Sequence, residues 1–155
     1  MNTNDNLQEV LNDLVRINND RITGYERAIK EASDEDVDLK GLFRSMANES
    51  QQYVSELSSR IGQLGGTPTD DTTNSGKIYR AWMDVKAVFT GKDRKALLGS
   101  CEFGEDAAQK AYDEALSSDS EIDAESRQLI MDQKTSLKKS HDMIKKYRDL
   151  QAAVS

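Results

Sequence analysis

Leu7, Leu11, Leu14, Asn18, Ile22, Tyr25 and Ile29 follow one another at steps of three and four residues. That spacing lines one face of an α-helix, whereas a strand would scatter it over both faces. It predicts a first helix over residues 5–32, capped by Asn4 or Asp5. A second stripe, Leu39, Leu42, Met46, Glu49, Tyr53, Leu57, Ile61 and Leu64, predicts a helix over 37–64. The short acidic turn Ser33-Asp34-Glu35-Asp36 between them forces antiparallel neighbours. Gly65-Gly66 and Pro68 close the second helix. Leu98, Cys101, Glu105, Ala108, Tyr112 and Ala115 predict a third helix over 94–116. Ile130, Gln133, Leu137, His141, Ile144 and Arg148 predict a fourth over 124–151, after a turn at 117–120. No alternating β-branched run suggests a strand.

The helices thus pair as two hairpins, and the connection over 65–93 is too long for a tight turn. Within it, Ile78, Trp82, Val85 and Phe89 lie on one side of a short helix expected over 77–89. The architecture that follows is all-α: one domain over 1–155, a four-helix bundle with a long crossover containing a short extra helix. Composition agrees, with 36% hydrophobic and 32% charged residues and a single proline, as long amphipathic helices require.

Charge narrows the function. A net charge of -7 repels phosphate, so neither nucleic acid nor an anionic membrane is an expected partner. The opening residues lack a basic segment followed by an apolar run, and no apolar stretch approaches the ~18 residues of a membrane span. The lone thiol, Cys101, suits a reducing compartment, and the expected location is the cytoplasm. Cys101 itself reads as a core residue, and the Lys134–Arg148 basic run as a solvated face near a helix C-terminus.

The chemistry lies in polar residues that interrupt the stripes. Glu49 falls between Met46 and Tyr53, Glu105 between Cys101 and Ala108, Gln133 between Ile130 and Leu137, and His141 between Leu137 and Ile144. Glu26 lies beside Ile22 and Ile29, and Glu102 one turn before Glu105. A carboxylate in a bundle core needs a partner or a proton. One reading is a metal site, iron or manganese, held by Glu26, Glu49, Glu102, Glu105, Gln133 and His141. The Glu-x-x-His pairs of di-iron bundles are missing, since Glu49 is followed by Ser50-Gln51-Gln52 and Gln133 by Ser136 three residues on. The other reading is a satisfied network in which Glu49, Glu105, Gln133 and His141 bond to one another and to Tyr25, Tyr53 or Tyr112. Counted from the 117–120 turn, Glu105 and Gln133 stand at equal height and are expected to face each other, with His141 well away from them.

Two sets of motifs carry a resemblance. Arg60-Ile61-Gly62-Gln63-Leu64-Gly65-Gly66-Thr67-Pro68 looks like a helix terminus common in the ferritin-like superfamily. Leu11-Asn12-Asp13-Leu14, Asn19-Asp20, Gly24-Tyr25-Glu26, Tyr79-Arg80-Ala81-Trp82, Gly104-Glu105-Asp106 and His141-Asp142 resemble the bacterial DUF2383 family of four-helix proteins over nearly the whole chain. The resemblance implies a ferritin-like bundle in a bacterial cytoplasm. It transfers the superfamily's ligand pattern only to Glu26, Glu49 and Glu105, with Gln133 as an amide substitute. The expected role is non-catalytic, with no catalytic residue assigned: structural, stress-related or partner-binding, as a homo-oligomer or with another protein. The alternative is a di-iron or manganese oxidoreductase or an iron-handling protein.

Overall fold

The computed structural model describes residues 3–70, 94–118 and 121–154. They form four helices: α1 (Thr3–Glu31), α2 (Val37–Gln63), α3 (Arg94–Leu116) and α4 (Ala124–Val154). The expected crossover helix over 77–89 lies outside the described residues. No strand occurs among those described.

The helix ends use local chemistry. The α2 terminus is a Schellman motif: Gly66 N–H donates to Ile61 O at 2.9 Å and Gly65 N–H to Gly62 O at 3.0 Å. Gly65 sits at φ 85°, a conformation costly for a residue with a Cβ. A Cβ on Gly66 would lie 2.7 Å from the Gln8 side chain, whose amide donates to Leu64 O at 2.8 Å. These contacts pin the end of α2 to the start of α1. At α4, Asp123 accepts the Ser126 N–H at 2.7 Å, and Arg60 of α2 bridges Asp123 and the Ser126 hydroxyl at 2.8 and 2.9 Å. At the other end of the bundle, Arg94 opens α3 by pairing with Asp36 at 2.8 Å and Asp38 at 2.9 Å, beside the α1–α2 turn. So α2 and α3 start at the same end and run parallel. The end of α2 and the start of α3 therefore lie about a helix length apart, ~40 Å at ~1.5 Å per residue.

The buried seam of each helix follows alternating steps of three and four more strictly than hydrophobicity does. On α1 it is Leu7, Leu11, Leu14, Asn18, Arg21, Tyr25, Ala28 and Ala32, the last just past the helix end. On α2 it is Leu39, Phe43, Met46, Ser50, Tyr53 and Leu57; on α4, Ser126, Ile130, Gln133, Leu137, Ser140 and Ile144. This is the spacing that keeps a straight row of side chains facing a neighbouring helix. It corrects the stripes drawn from apolar residues alone. Ile22 and Ile29 are only half-buried, and Arg21 and Ala28 hold the inward positions. Likewise Ser50 and Ser140 point inward where Glu49 and His141 were expected to.

Two apolar clusters result. One gathers Leu7, Leu11, Leu14, Leu57, Ile61, Tyr112, Ile130 and Leu137 near the α1 start. The other gathers Tyr25, Leu39, Phe43, Met46, Leu98, Cys101 and Ile144 near the α1–α2 turn. Between them lies a polar layer.

Candidate functional site

The polar layer is built around Arg21, whose side chain is 2% exposed, and Glu105, which is 0% exposed. Arg21 Nε donates to Glu105 Oε1 at 2.6 Å. Arg21 Nη1 reaches Ser50 Oγ at 2.8 Å, Glu49 Oε1 at 2.9 Å and Met46 O at 3.3 Å. The Tyr25 hydroxyl donates to Glu105 Oε1 at 2.6 Å, and its ring centroid lies 5.3 Å from the guanidinium carbon. Burial by itself would drive the Arg21 pKa down, but Glu105, Tyr25 and Glu49 outweigh it and hold the guanidinium charged. Burial, reinforced by Glu105, raises the Tyr25 phenol well above its ordinary value, so it stays a donor.

From Ser50 the bonds continue in one sense. Its hydroxyl donates to Asn18 Oδ1 at 2.8 Å, and Asn18 Nδ2 donates to the Tyr112 hydroxyl at 2.8 Å. Tyr112 donates to Gln133 Oε1 at 2.6 Å, and Gln133 Nε2 to Glu56 Oε1 at 3.0 Å. Burial raises the Tyr112 pKa, which keeps that link intact. All four helices contribute, so the chain of bonds holds their mutual register. Among the described residues, one acceptor of the central pair is unmet: Glu105 Oε2 is sealed from solvent and accepts no hydrogen bond. Glu49 is the partly open member, its side chain 25% exposed. It also accepts from Ser140 at 2.9 Å and lines a cleft of about 280 Å³ between α2 and α4.

The residues proposed from sequence divide into three places. Glu49, Glu105 and Gln133 belong to the layer just described. Glu105 and Gln133 do not face each other: Tyr112 stands opposite Gln133, because the α3–α4 register pairs Asp113 with Lys134 and Asp106 with His141. Glu26 is exposed and joins nothing in the interior, since the seam passes through Arg21 and Tyr25 and leaves it on the outer side. Glu102 and His141 lie on the outer α3–α4 surface. The His141 ring is level with Asp106, close in height to Glu105 and not remote from it, but one position off the buried seam. Arg21 escaped the sequence reading; Asn18 stood in the α1 stripe without a role assigned to it, and Asp20, which is fully buried, was not placed in the core. The step of three from Asn18 to Arg21 and of four from Arg21 to Tyr25 is the signal that marks Arg21.

The interior group does not fit a metal pair as it stands. The two carboxylates that converge do so on a guanidinium lying between them, and the Gln133 oxygen is taken by Tyr112. The surface group is different. Glu102, Asp106 and His141 each bring one ligating atom within 4.8 Å of the others. His141 Nε2 meets Asp106 Oδ1 at 2.5 Å and Nδ1 meets Asp142 Oδ1 at 3.3 Å. Partial burial opposes the charged imidazole, yet these carboxylates raise its pKa.

Fold and site together define a ferritin-like four-helix bundle with a charged, hydrogen-bonded centre. A mutant of Dps1 from Mycobacterium smegmatis superimposes with a TM-score of 0.81 at 14% identity, over 94% of this chain and 97% of that one. Ferritin-like, diiron-carboxylate proteins from Bacillus anthracis str. Ames match with a TM-score of 0.69 at 18% identity, over 97% of this chain and 99% of theirs. At these identities the likeness is one of fold. The chain belongs to the family described as "Domain of unknown function (DUF2383)", which matches residues 6–118. No curated protein matches it in sequence. The family match stops before α4, so Gln133, Ser140 and His141 lie beyond it.

Proposed function

We propose that this protein is a non-catalytic ferritin-like bundle with a structural, stress-related or partner-binding role in a bacterial cytoplasm, its centre held by its own arginine. The carrying observation is the Arg21 guanidinium, 2.6 Å from Glu105 and 2.9 Å from Glu49. A fixed cation between two carboxylates supplies the positive charge that a metal would bring, and it raises the cost of adding a second cation. A binding role draws support from large apolar side chains on the outer faces of α3 and α4: Phe103, Met131, Met143 and Leu150 are 47%, 48%, 47% and 59% exposed. A homo-oligomer or another protein would cover them. Among the described residues no helix is long and apolar enough to cross a membrane.

The test is metal content by elemental analysis of untagged protein purified without chelator, before and after anaerobic loading with ferrous iron. The expected outcome is no stoichiometric iron or manganese that depends on Glu49 or Glu105. Iron or manganese near stoichiometry, lost in Glu49→Ala and Glu105→Ala while the fold survives, would overturn the proposal. It would favour the second reading, an iron-handling or di-metal oxidoreductase bundle, which draws its support from the likeness to the diiron-carboxylate proteins of Bacillus anthracis.

A further inference from the structure

The geometry points to a divalent transition-metal site on the outer surface of the α3–α4 hairpin, formed by Glu102, Asp106 and His141 and suited to Zn²⁺ or an ion of like preference. It does not depend on what fills the bundle interior. Glu102 and Asp106 are four residues apart on α3, so both side chains rise from one face of the helix. His141 approaches them from α4. Two carboxylates and one imidazole form a mixed oxygen and nitrogen set that suits a borderline cation.

Three further features support a built site. The first is the outer partner of the imidazole. Asp142 Oδ1 stands 3.3 Å from His141 Nδ1, and His141 Nε2 faces Asp106. Metal-bound imidazoles are characteristically held this way, one nitrogen hydrogen-bonded to a carboxylate so that the other is presented as a lone pair. The second is Glu102 Oε2. It is sealed from solvent and accepts no hydrogen bond of good geometry, although the Arg148 guanidinium lies 2.5 Å away in charge contact. An ion would therefore have to displace Arg148 from this oxygen. The third is Arg148, which also touches Asp149 at 3.0 Å and can release Glu102 without losing its only anionic partner.

The dimensions are compatible with a bound ion. Zinc bonds of ~2.1 Å place tetrahedral ligands ~3.4 Å apart. The three ligating atoms here lie within 4.8 Å of one another, and the closest pair, His141 and Asp106, is 2.5 Å apart. Ångström-scale side-chain adjustments therefore suffice: the wider separations contract and the His141–Asp106 pair opens. Asp106 is exposed, and the His141 side chain is 20% exposed, so an ion can enter from solvent and water can complete its coordination. Binding one ion would tie the middle of α4, which lies beyond the family match, to α3, which lies within it.

The test uses the full untagged chain, stripped with chelator and dialysed, then titrated with Co²⁺ and Zn²⁺ by calorimetry and visible absorption. The expected result is one Co²⁺ per chain with a ligand-field band that Zn²⁺ displaces. His141→Gln should abolish the band, and Asp142→Asn should weaken binding by about 10- to 100-fold. Arg148→Gln should tighten it, because Glu102 is freed of its competitor. Circular dichroism checks that each variant folds, and Asp106→Asn gives an independent reading of the same site if His141→Gln does not. Absence of binding at millimolar Co²⁺ would overturn the proposal. So would binding that survives His141→Gln and Asp106→Asn, or that is lost only in Glu105→Gln.

Discussion

One helix carries two kinds of carboxylate. On α3, Glu105 faces the bundle interior and is fully buried, while Asp106, the next residue, is exposed, and Glu102, one turn earlier, is mostly covered at the surface. The same chemical group meets a nitrogen-bearing partner in each case. Inside, the cation is Arg21, fixed by Ser50, Glu49 and the Met46 carbonyl. Outside, the partners are His141 and Arg148, each with another carboxylate within reach. The difference is one of consequence. A buried pair cannot lose either ion cheaply, because each has given up its water. A surface pair can exchange partners at little cost, because solvent takes up whatever is released. The interior cluster is therefore suited to holding helices in register, and the surface cluster to binding something else.

The sharpest way to break this comparison is to remove one interior partner. Glu105→Leu leaves the Arg21 charge without its main partner in a dry environment, and is expected to destabilise the protein by about 3–5 kcal/mol in urea denaturation. Replacing the pair together, Arg21→Met with Glu105→Leu, should restore most of that loss, since no uncompensated ion remains. A cost below about 1 kcal/mol for the single variant would mean that the pair behaves like an exposed one.

Next in size is Tyr112→Phe. It removes the link between Asn18 and Gln133 and leaves a buried amide oxygen and a buried N–H less well satisfied. A loss of about 1–3 kcal/mol is expected, read from the shift in denaturation midpoint. A neutral result would show that the layer is not continuous at that point.

A smaller effect is expected at the helix end. Asp123→Ala removes the cap on the Ser126 N–H and a partner of Arg60, at about 1 kcal/mol. The hydrogen bond from the Ser126 N–H is the largest cause of the lowered Asp123 pKa. Its folded value lies below its unfolded one, so the cap's contribution is full above the ordinary carboxylate value of ~3.9 and fades as pH falls through the lower folded value. Denaturation series at acid and neutral pH should show the wild type losing its advantage over Asp123→Ala in that acid window. An advantage that stays constant through it would argue against the charged cap.

The smallest effect belongs to the surface cluster in the absence of metal. Asp106→Asn should change stability by about 0–1 kcal/mol, and the difference should shrink in added salt. A cost approaching that of Glu105→Leu would erase the distinction between the two clusters.

Much of this arrangement was legible before the structure, though unevenly. Helix boundaries followed from turns and breakers, which are local: the acidic turn at 33–36 before α2, and Gly65-Gly66 and Pro68 after it. Glu105 and Gln133 were placed inward because apolar residues flank them at helical spacing on both sides. Arg21 was missed for the same reason that Ile22 was chosen. A stripe drawn by hydrophobicity takes the isoleucine next door, and a long basic side chain reads as a wet face. His141 was drawn inward by the same error, at the position after Ser140.

The amino-acid sequence by itself determined the four helices, their hairpin pairing and the presence of polar residues in the core, because caps, turn length and a three-and-four spacing act within short stretches of chain. Only the tertiary structure decided which polar residue met which. Arg21 and Glu105 are 84 residues apart, and Tyr25 and Glu105 are 80 apart. Their meeting depends on the rotation and axial offset of α1 against α3. A rotation of one residue in that phase would turn Arg21 toward solvent and leave Glu105 buried without its cation. That phase is selected by side-chain packing over the whole bundle and by the cost of an unpaired charge, neither of which resides in any single segment.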